Sequence, residues 1–222
     1  MNLIIFDIDG TLTQTNAIDS KIFTEVIEKE LSIEDLDDNW PDYQYSTDNG
    51  ILAEIFIKYQ QRSPTTQELL RIENQFVAAL EKEFNANAST CLPIAGAENI
   101  FDHIRSQDNW HVALATGGWQ RSALLKLNCA HIIHHDVPKA FTEDGIERHV
   151  IIQAAIARAQ SHYQVSQYDK HVYVSDRLWD KRAAESLGFA FIGVGEELVA
   201  LADGNFPVVV DYSDPDYFIN KL

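Results

Sequence analysis

The sequence predicts a doubly wound, mostly parallel α/β sheet with an all-helical insertion near its start. Three observations carry that expectation. Short apolar runs at 1–6, 111–115, 171–174 and 189–194 alternate with helical patterns, as in parallel sheets covered on both faces. Acids or a Thr-Gly-Gly turn follow three of these runs, where open α/β sheets bind ligands. Between the first run and the next βα segment, residues 17–88 carry helical spacing only. The predicted division is a core of 1–16 and 89–222 and a helical cap of 17–88. A chain of 222 residues is long enough for both.

Composition narrows the function. The 45% hydrophobic content is that of an ordinary globular domain. The formal charge of −17, from 34 acids against 17 Lys and Arg, argues against nucleic acid or an anionic membrane as partner. It also disfavours a polyanionic substrate unless local cations or a metal reverse the field. The two cysteines, Cys91 and Cys129, have no metal-ligand spacing and sit among apolar residues, so both are expected as buried free thiols. No basic segment followed by an apolar one opens the chain, and no apolar run approaches the ~18 residues of a membrane span. A reducing cytoplasm is the expected compartment.

The first run ends in Asp7-Ile8-Asp9-Gly10-Thr11-Leu12. Residues two apart in an extended segment project to the same side, so Asp7 and Asp9 can converge on one cation. Gly10 lets the chain turn and brings backbone close to a ligand.

Helical spacing then begins, with Ile18, Ile22, Val26, Ile27 and Leu31 apolar. Residues 32–49 are acidic and polar and read as a short helical turn and a loop. Trp40, Tyr43 and Tyr45 in that loop pack the cap or line a pocket, and packing is preferred. Thr47 or Asp48 caps a second helix through Tyr59. Ser63-Pro64-Thr65 starts a third, with Leu69, Ile72, Phe76, Leu80 and Phe84 on one stripe. A run of helices placed directly after the first strand reads as a lid over the site.

A helix over 97–106 leads to the strand at 111–115, which ends in Thr116-Gly117-Gly118. A hydroxyl and close-approaching backbone N–H groups at a helix start make a phosphate cradle. Trp119 and Gln120 follow and could face a substrate. His131, His134 and His135 read as a solvated loop, since no Cys or carboxylate pair completes a metal set. Residues 136–142 form a short strand or irregular crossing, and a helix over 148–162 follows. The strand at 171–174 ends in Ser175-Asp176-Arg177-Leu178-Trp179-Asp180. Asp176 and Asp180 lie one helical turn apart, so both can reach the same cleft. Gly188 ends that helix; 189–194 is a buried strand, 208–211 a late edge strand, and Asp214-Pro215 opens the closing helix.

Together these stretches resemble the motifs of the haloacid dehalogenase superfamily, in particular its phosphatases with a helical C1 cap, such as the phosphoglycolate phosphatase-like group. Asp-Ile-Asp-Gly-Thr-Leu resembles motif I, Thr116 takes the place of motif II, and Ser-Asp-x-x-x-Asp resembles motif IV with Ser175 where Gly is common. The resemblance implies that Asp7 is a nucleophile taking up a phosphoryl group and that Asp9 is the general acid/base. Mg²⁺ would be held by Asp7, Asp9 and Asp176, with Asp180 a ligand or an acceptor for a bound water. Gly10, Thr11, Thr116, Gly117 and Gly118 would meet the phosphate. The lone cation of motif III is Arg148 or Lys139. Arg148 is preferred because it opens a helix leading to the motif IV strand. The chemistry fits the residue types: a carboxylate can split one hard displacement into two easier ones, and a second carboxyl can protonate the leaving oxygen and later activate water. The expected function is Mg²⁺-dependent hydrolysis of a small phosphorylated metabolite. A sugar phosphomutase, a 2-haloacid dehalogenase and a non-catalytic phospho-ligand binder are the rivals. Asp9 argues against the dehalogenase, which usually lacks the second acid.

Overall fold

The computed structural model describes residues 1–202 and 204–222. Six strands form one parallel sheet in the order β3-β2-β1-β4-β5-β6. They are β1 (Asn2–Phe6), β2 (Trp110–Ala115), β3 (Lys139–Ala140), β4 (Lys170–Ser175), β5 (Ala190–Val194) and β6 (Val208–Val209). From β1 the chain steps outward to β3, then returns to build the other half from β4. The β1/β4 boundary is therefore the switch point at which such sheets open a crevice. Phe6 pairs with Leu114 on one side and Val174 on the other, so Asp7, Thr116 and Asp176 leave the sheet at one edge.

Alternation along β1 builds both faces of the core. Ile4 and Phe6 pack on one side, where the Phe6 ring lies 5.5 Å from Phe101 and 6.1 Å from Tyr212 and Phe218. Leu3 and Ile5 pack on the other, with Ile151, Ala155 and Tyr173. All four β1 side chains are fully buried, which explains a continuous apolar run rather than an alternating one.

Between β1 and β2 the chain is helical: α1 (Asn16–Leu31), α2 (Asp48–Ile55), α3 (Thr66–Ala86) and α4 (Ala97–Arg105). Thr47 caps α2 by accepting the Gly50 N–H, and a π-helical turn, Phe56–Gln60, extends it. Thr65 and Glu68 form a reciprocal capping box that starts α3. The α3 stripe of Ile72, Phe76, Leu80 and Phe84 is buried as its spacing requires. Trp40 sits in a 3₁₀ turn, Trp40–Asp42.

The second half adds α5 (Gln120–Cys129), α6 (Arg148–Tyr163), α7 (Leu178–Ser186), α8 (Glu196–Ala202) and α9 (Pro215–Ile219). Trp119 does not face a substrate. It is 2% exposed, its ring lies 5.7 Å from Phe23 and 5.5 Å from Phe76, and it joins α1 and α3 to the sheet layer. Gln120 is exposed, with its N–H on Glu143. His134 bonds Asn128 and lies against His135. Cys91 is buried, whereas Cys129 is only partly so. Among the described residues no helix is long and apolar enough to cross a membrane.

Candidate active site

The carboxyl ends of β1, β2 and β4 open into one cavity of about 180 Å³. Its core side carries Asp7, Asp9, Thr116, Gly117, Gly118, Arg148 and Asp176, and its helical side Asp19, Ser20, Phe23, Trp40 and Asp48. So most of the residues expected from the sequence share one space.

Asp7 is 3% exposed, and its backbone N–H donates to the Val174 carbonyl at 3.0 Å, pinning the acid to the β4 side. Its Oδ1 is buried without a hydrogen-bond partner. Gly10 adopts φ +69°, and a Cβ there would stand 2.1 Å from Asp176 Oδ2 and 2.2 Å from Asn16 Nδ2. Glycine is needed so that the Asp176 carboxylate can reach the motif I loop. The Gly10 N–H donates to Thr13, and the buried Thr11 hydroxyl accepts the Asp176 N–H at 3.1 Å. Gly10 and Thr11, expected at the phosphate, thus brace the two acid-bearing loops and do not line the cavity.

Thr116 is 3% exposed, and its hydroxyl accepts the Gly118 N–H at 3.3 Å. A Cβ on Gly117 would lie 2.6 Å from the Ser46 carbonyl and 2.7 Å from Arg148 Nη1, so the absence of a side chain lets the guanidinium approach.

Arg148 opens α6 and is buried. Its Nε and Nη2 donate to the two oxygens of Asp180 at 2.5 and 3.2 Å. That fork aims Nη1, which has no hydrogen-bond partner, at Asp7 Oδ1, 3.7 Å away. Asp180 also accepts the Ser175 hydroxyl and is fully buried. Its oxygens are committed to Arg148 and Ser175, and it does not line the cavity. It orients the cation and is not placed as a metal ligand.

Lys139 lies elsewhere. Its Nζ donates to the carbonyls of His134 and Val137 at 2.5 and 2.6 Å, and it lines a separate surface depression with Gln120 and Arg158. The expectation that it meets phosphate is corrected: the lysine stem folds back on its own loop, where the His134 and Val137 carbonyls hold its ammonium.

The cation that sequence reasoning missed is Lys126 on α5, 1% exposed. Its Nζ donates to Asp9 Oδ2 at 2.8 Å and also bonds Asp19. A charged residue on the apolar face of a helix, in phase with Ala123 and Leu127, was the available signal. Asp9 further accepts from the Thr15 hydroxyl, so both of its oxygens are engaged.

Burial pushes the Asp7 carboxyl up to about 8, opposed by Arg148 and reinforced by Asp180, Asp176 and Asp9. Burial likewise raises Asp176 to about 6, against Arg177 and an Asn16 hydrogen bond of 2.7 Å. Asp176 Oδ1 is a second buried oxygen without a partner. Among the described residues no group of three carboxylate or imidazole side chains forms a closed metal site. A hard divalent cation that keeps waters and a phosphate oxygen needs only one or two carboxylates. Asp7 and Asp176, with their orphaned oxygens and mutual repulsion, fit such an ion.

Over residues 4–194 the chain matches the family of haloacid dehalogenase-like hydrolases, and it belongs to that family. Solved structures share the whole fold at low identity. A hydrolase from Pseudomonas syringae is 18% identical with a TM-score of 0.76, over 100% of this chain and 99% of that one. CbbY from Rhodobacter sphaeroides, solved with phosphate, is 18% identical with a TM-score of 0.67, over 96% and 95%. A predicted phosphoglycolate phosphatase from Haemophilus somnus is 16% identical with a TM-score of 0.59, over 98% and 97%. No curated protein matches significantly.

Two measurements check this electrostatic arrangement. Lys126→Met should cost about 1–3 kcal/mol in urea denaturation, because two half-buried carboxylates lose the counterion they share. Adding Asp19→Asn should recover part of that loss. An undiminished midpoint in the single variant would show that Lys126 carries no such charge. The second is the pH dependence of Tm in EDTA. Asp7 and Asp176 titrate above their ordinary 3.8 in the folded state. The folded protein therefore keeps protons that the unfolded chain has lost, and stability falls as pH rises from about 4 to about 8. Mg²⁺ should raise Tm most at the alkaline end of that window; a Tm that climbs with pH in EDTA contradicts the reading.

Proposed function

We propose that this protein hydrolyses a small phosphomonoester with Mg²⁺, through a phosphoryl group carried on Asp7. The observation that carries this reading is the pairing of two unsatisfied buried groups. Asp7 Oδ1 and Arg148 Nη1 have no hydrogen-bond partner, stand 3.7 Å apart and border the cavity that also holds Asp9, Thr116 and Asp176. An anion with several acceptor oxygens satisfies both the guanidinium and the Thr116 loop.

In this mechanism the Asp7 carboxylate attacks phosphorus as the ester P–O bond breaks. Asp9 gives a proton to the leaving alkoxide. Asp9 then takes a proton from water, the water oxygen attacks phosphorus, and the Asp7–phosphoryl bond breaks to release inorganic phosphate. Arg148 neutralises charge shared by Asp7 and the phosphoryl oxygens, held in line by Asp180. The Thr116 hydroxyl donates to a phosphoryl oxygen. Asp7, Asp176 and the Asp9 carbonyl would hold Mg²⁺, which would supply the positive charge that lets a carboxylate approach a phosphate. Residues 17–88 serve as a cap that excludes water from the closed site and contacts the leaving group.

Asp7→Asn should abolish turnover of a generic aryl phosphate while the fold is kept, since an amide cannot form the acyl phosphate. EDTA should remove wild-type activity and Mg²⁺ restore it, with Ca²⁺ a poor substitute because it favours more ligands and longer bonds. Wild-type rates in Asp7→Asn, or full activity without metal, would refute the mechanism. Arg148→Ala should lower kcat roughly 30- to 1,000-fold, the equivalent of about 2–4 kcal/mol of charge stabilisation. Lys139→Ala should change kcat less than about threefold. The reverse ranking would show that Arg148 is not the charge partner.

A further inference from the structure

We propose that the ester's alcohol carries an ammonium group, making the substrate a short amino-alcohol phosphate and not a carboxylate-bearing ester. This rests on the hydrolase reading above and concerns two acids of the cavity wall that the chemistry does not use. Asp19 and Asp48 line the cavity, and both come from the helical segment. Neither has a role in phosphoryl transfer.

The charges around the cavity do not balance without a cation there. Five acids line it, Asp7, Asp9, Asp19, Asp48 and Asp176, with Asp180 just behind. Arg148 and Arg177 also line it, and Lys126 touches Asp9 and Asp19 from beneath. A phosphate dianion and Mg²⁺ offset one another. What remains is a surplus of acid, and its unshared part lies at Asp48. Arg177 offers little to a substrate carboxylate, because its Nε is 3.0 Å from Asp176 Oδ2 and its guanidinium lies over the Trp179 ring.

The geometry suits a cation in size and shape. Phe23 and Trp40 both line the cavity, and their rings meet at 80° with centroids 5.5 Å apart. Aromatic rings that share a cavity wall with carboxylates favour an ammonium group. Trp40 is fixed there by its indole N–H, which donates to Ser20 Oγ at 2.7 Å. Asp48 is fixed by accepting the Trp119 N–H at 2.9 Å, and its own N–H donates to the Gly117 carbonyl at 2.9 Å. That last contact seats the acid beside the phosphate loop, so only a short linker separates the phosphate from the ammonium. Burial and the neighbouring Asp19 raise the Asp48 carboxyl well above its ordinary value, against Lys126 and the Trp119 N–H, and an ammonium group beside it would lower it again.

The test compares kcat/KM, in Mg²⁺, for 2-aminoethyl phosphate, its trimethylammonium analogue, glycerol phosphate and 2-phosphoglycolate, with p-nitrophenyl phosphate as a generic ester. At least one ammonium ester should exceed the neutral glycerol ester by roughly tenfold and the carboxylate ester by more, since tenfold is about 1.4 kcal/mol. Asp48→Asn keeps an acceptor for the Trp119 N–H and removes the charge. It should shrink the ammonium-to-glycerol ratio at least threefold, and Trp40→Leu should do the same. The ratio is taken within each variant, so a partly unfolded sample does not alter it. Turnover of the glycolate or glycerol ester equal to or above both ammonium esters overturns the proposal and leaves the hydrolase reading intact. So does a ratio that neither variant moves. No turnover of any ester, the aryl phosphate included, overturns the hydrolase reading and this proposal with it.

Discussion

Repulsion among carboxylates at the carboxyl edge of β1 and β4 is the constraint on which the rest of this structure depends. A parallel sheet with level strand ends brings Asp7 and Asp176 to one place whether or not their charges agree. Burial makes each charge more costly. The fold answers with two buried cations from two different helices. Arg148 comes from the start of α6 and faces Asp7, while Lys126 comes from α5 and faces Asp9. Neither removes the conflict around Asp7 and Asp176, whose carboxyls stay well above their ordinary values. The remaining mismatch is one that a divalent cation would offset.

The neighbours of these acids are arranged to hold them despite the repulsion. Gly10 has no side chain, so Asp176 can touch the motif I loop. Thr11 ties that loop to the Asp176 backbone, and the Asp7 N–H ties it to β4. Asp180 adds a further negative charge near Asp7, an apparent contradiction. Its bidentate grip on Arg148 resolves it, because an arginine fork held at two points presents its third nitrogen in one direction only. A lysine on a flexible stem could not be aimed in this way.

What the sequence made legible was local. The apolar run before Asp7, the Thr-Gly-Gly turn after β2 and the helical stripes of α1 and α3 each follow from neighbours a few residues apart, and each lies where that spacing puts it. The capping box at Thr65 and Glu68 belongs to the same class. What was not legible required partners more than 30 residues away. Lys126 acquires its meaning from Asp9 and Asp19, which only the packing of α5 against α1 reveals. The preference for Arg148 over Lys139 came from its place at a helix start, but its aim at Asp7 depends on Asp180, 32 residues beyond the arginine. Trp119 followed the phosphate loop in sequence and so looked like a substrate contact, yet its ring seals α1 and α3 onto the sheet layer. Trp40 combines both roles weighed for it. One side packs near Phe23 and Tyr43, and the ring also borders the cavity.

The Lys126 contact also constrains how Asp9 can work. In the proposed mechanism Asp9 must meet the leaving oxygen, and each of its oxygens already accepts one hydrogen bond, from the Thr15 hydroxyl and from Lys126. Each keeps a lone pair for the proton, so these contacts restrict the direction from which the leaving oxygen can approach. Thr15 immediately precedes α1, and the other acid on Lys126 is Asp19, on the first turn of the same helix. A shift of α1, which also supplies Ser20 and Phe23 to the cavity wall, would move the hydroxyl that bonds Asp9 and the carboxylate that shares Lys126 with it. Such coupling is a reason for Lys126 to be buried and doubly paired, where an apolar side chain would pack at lower cost.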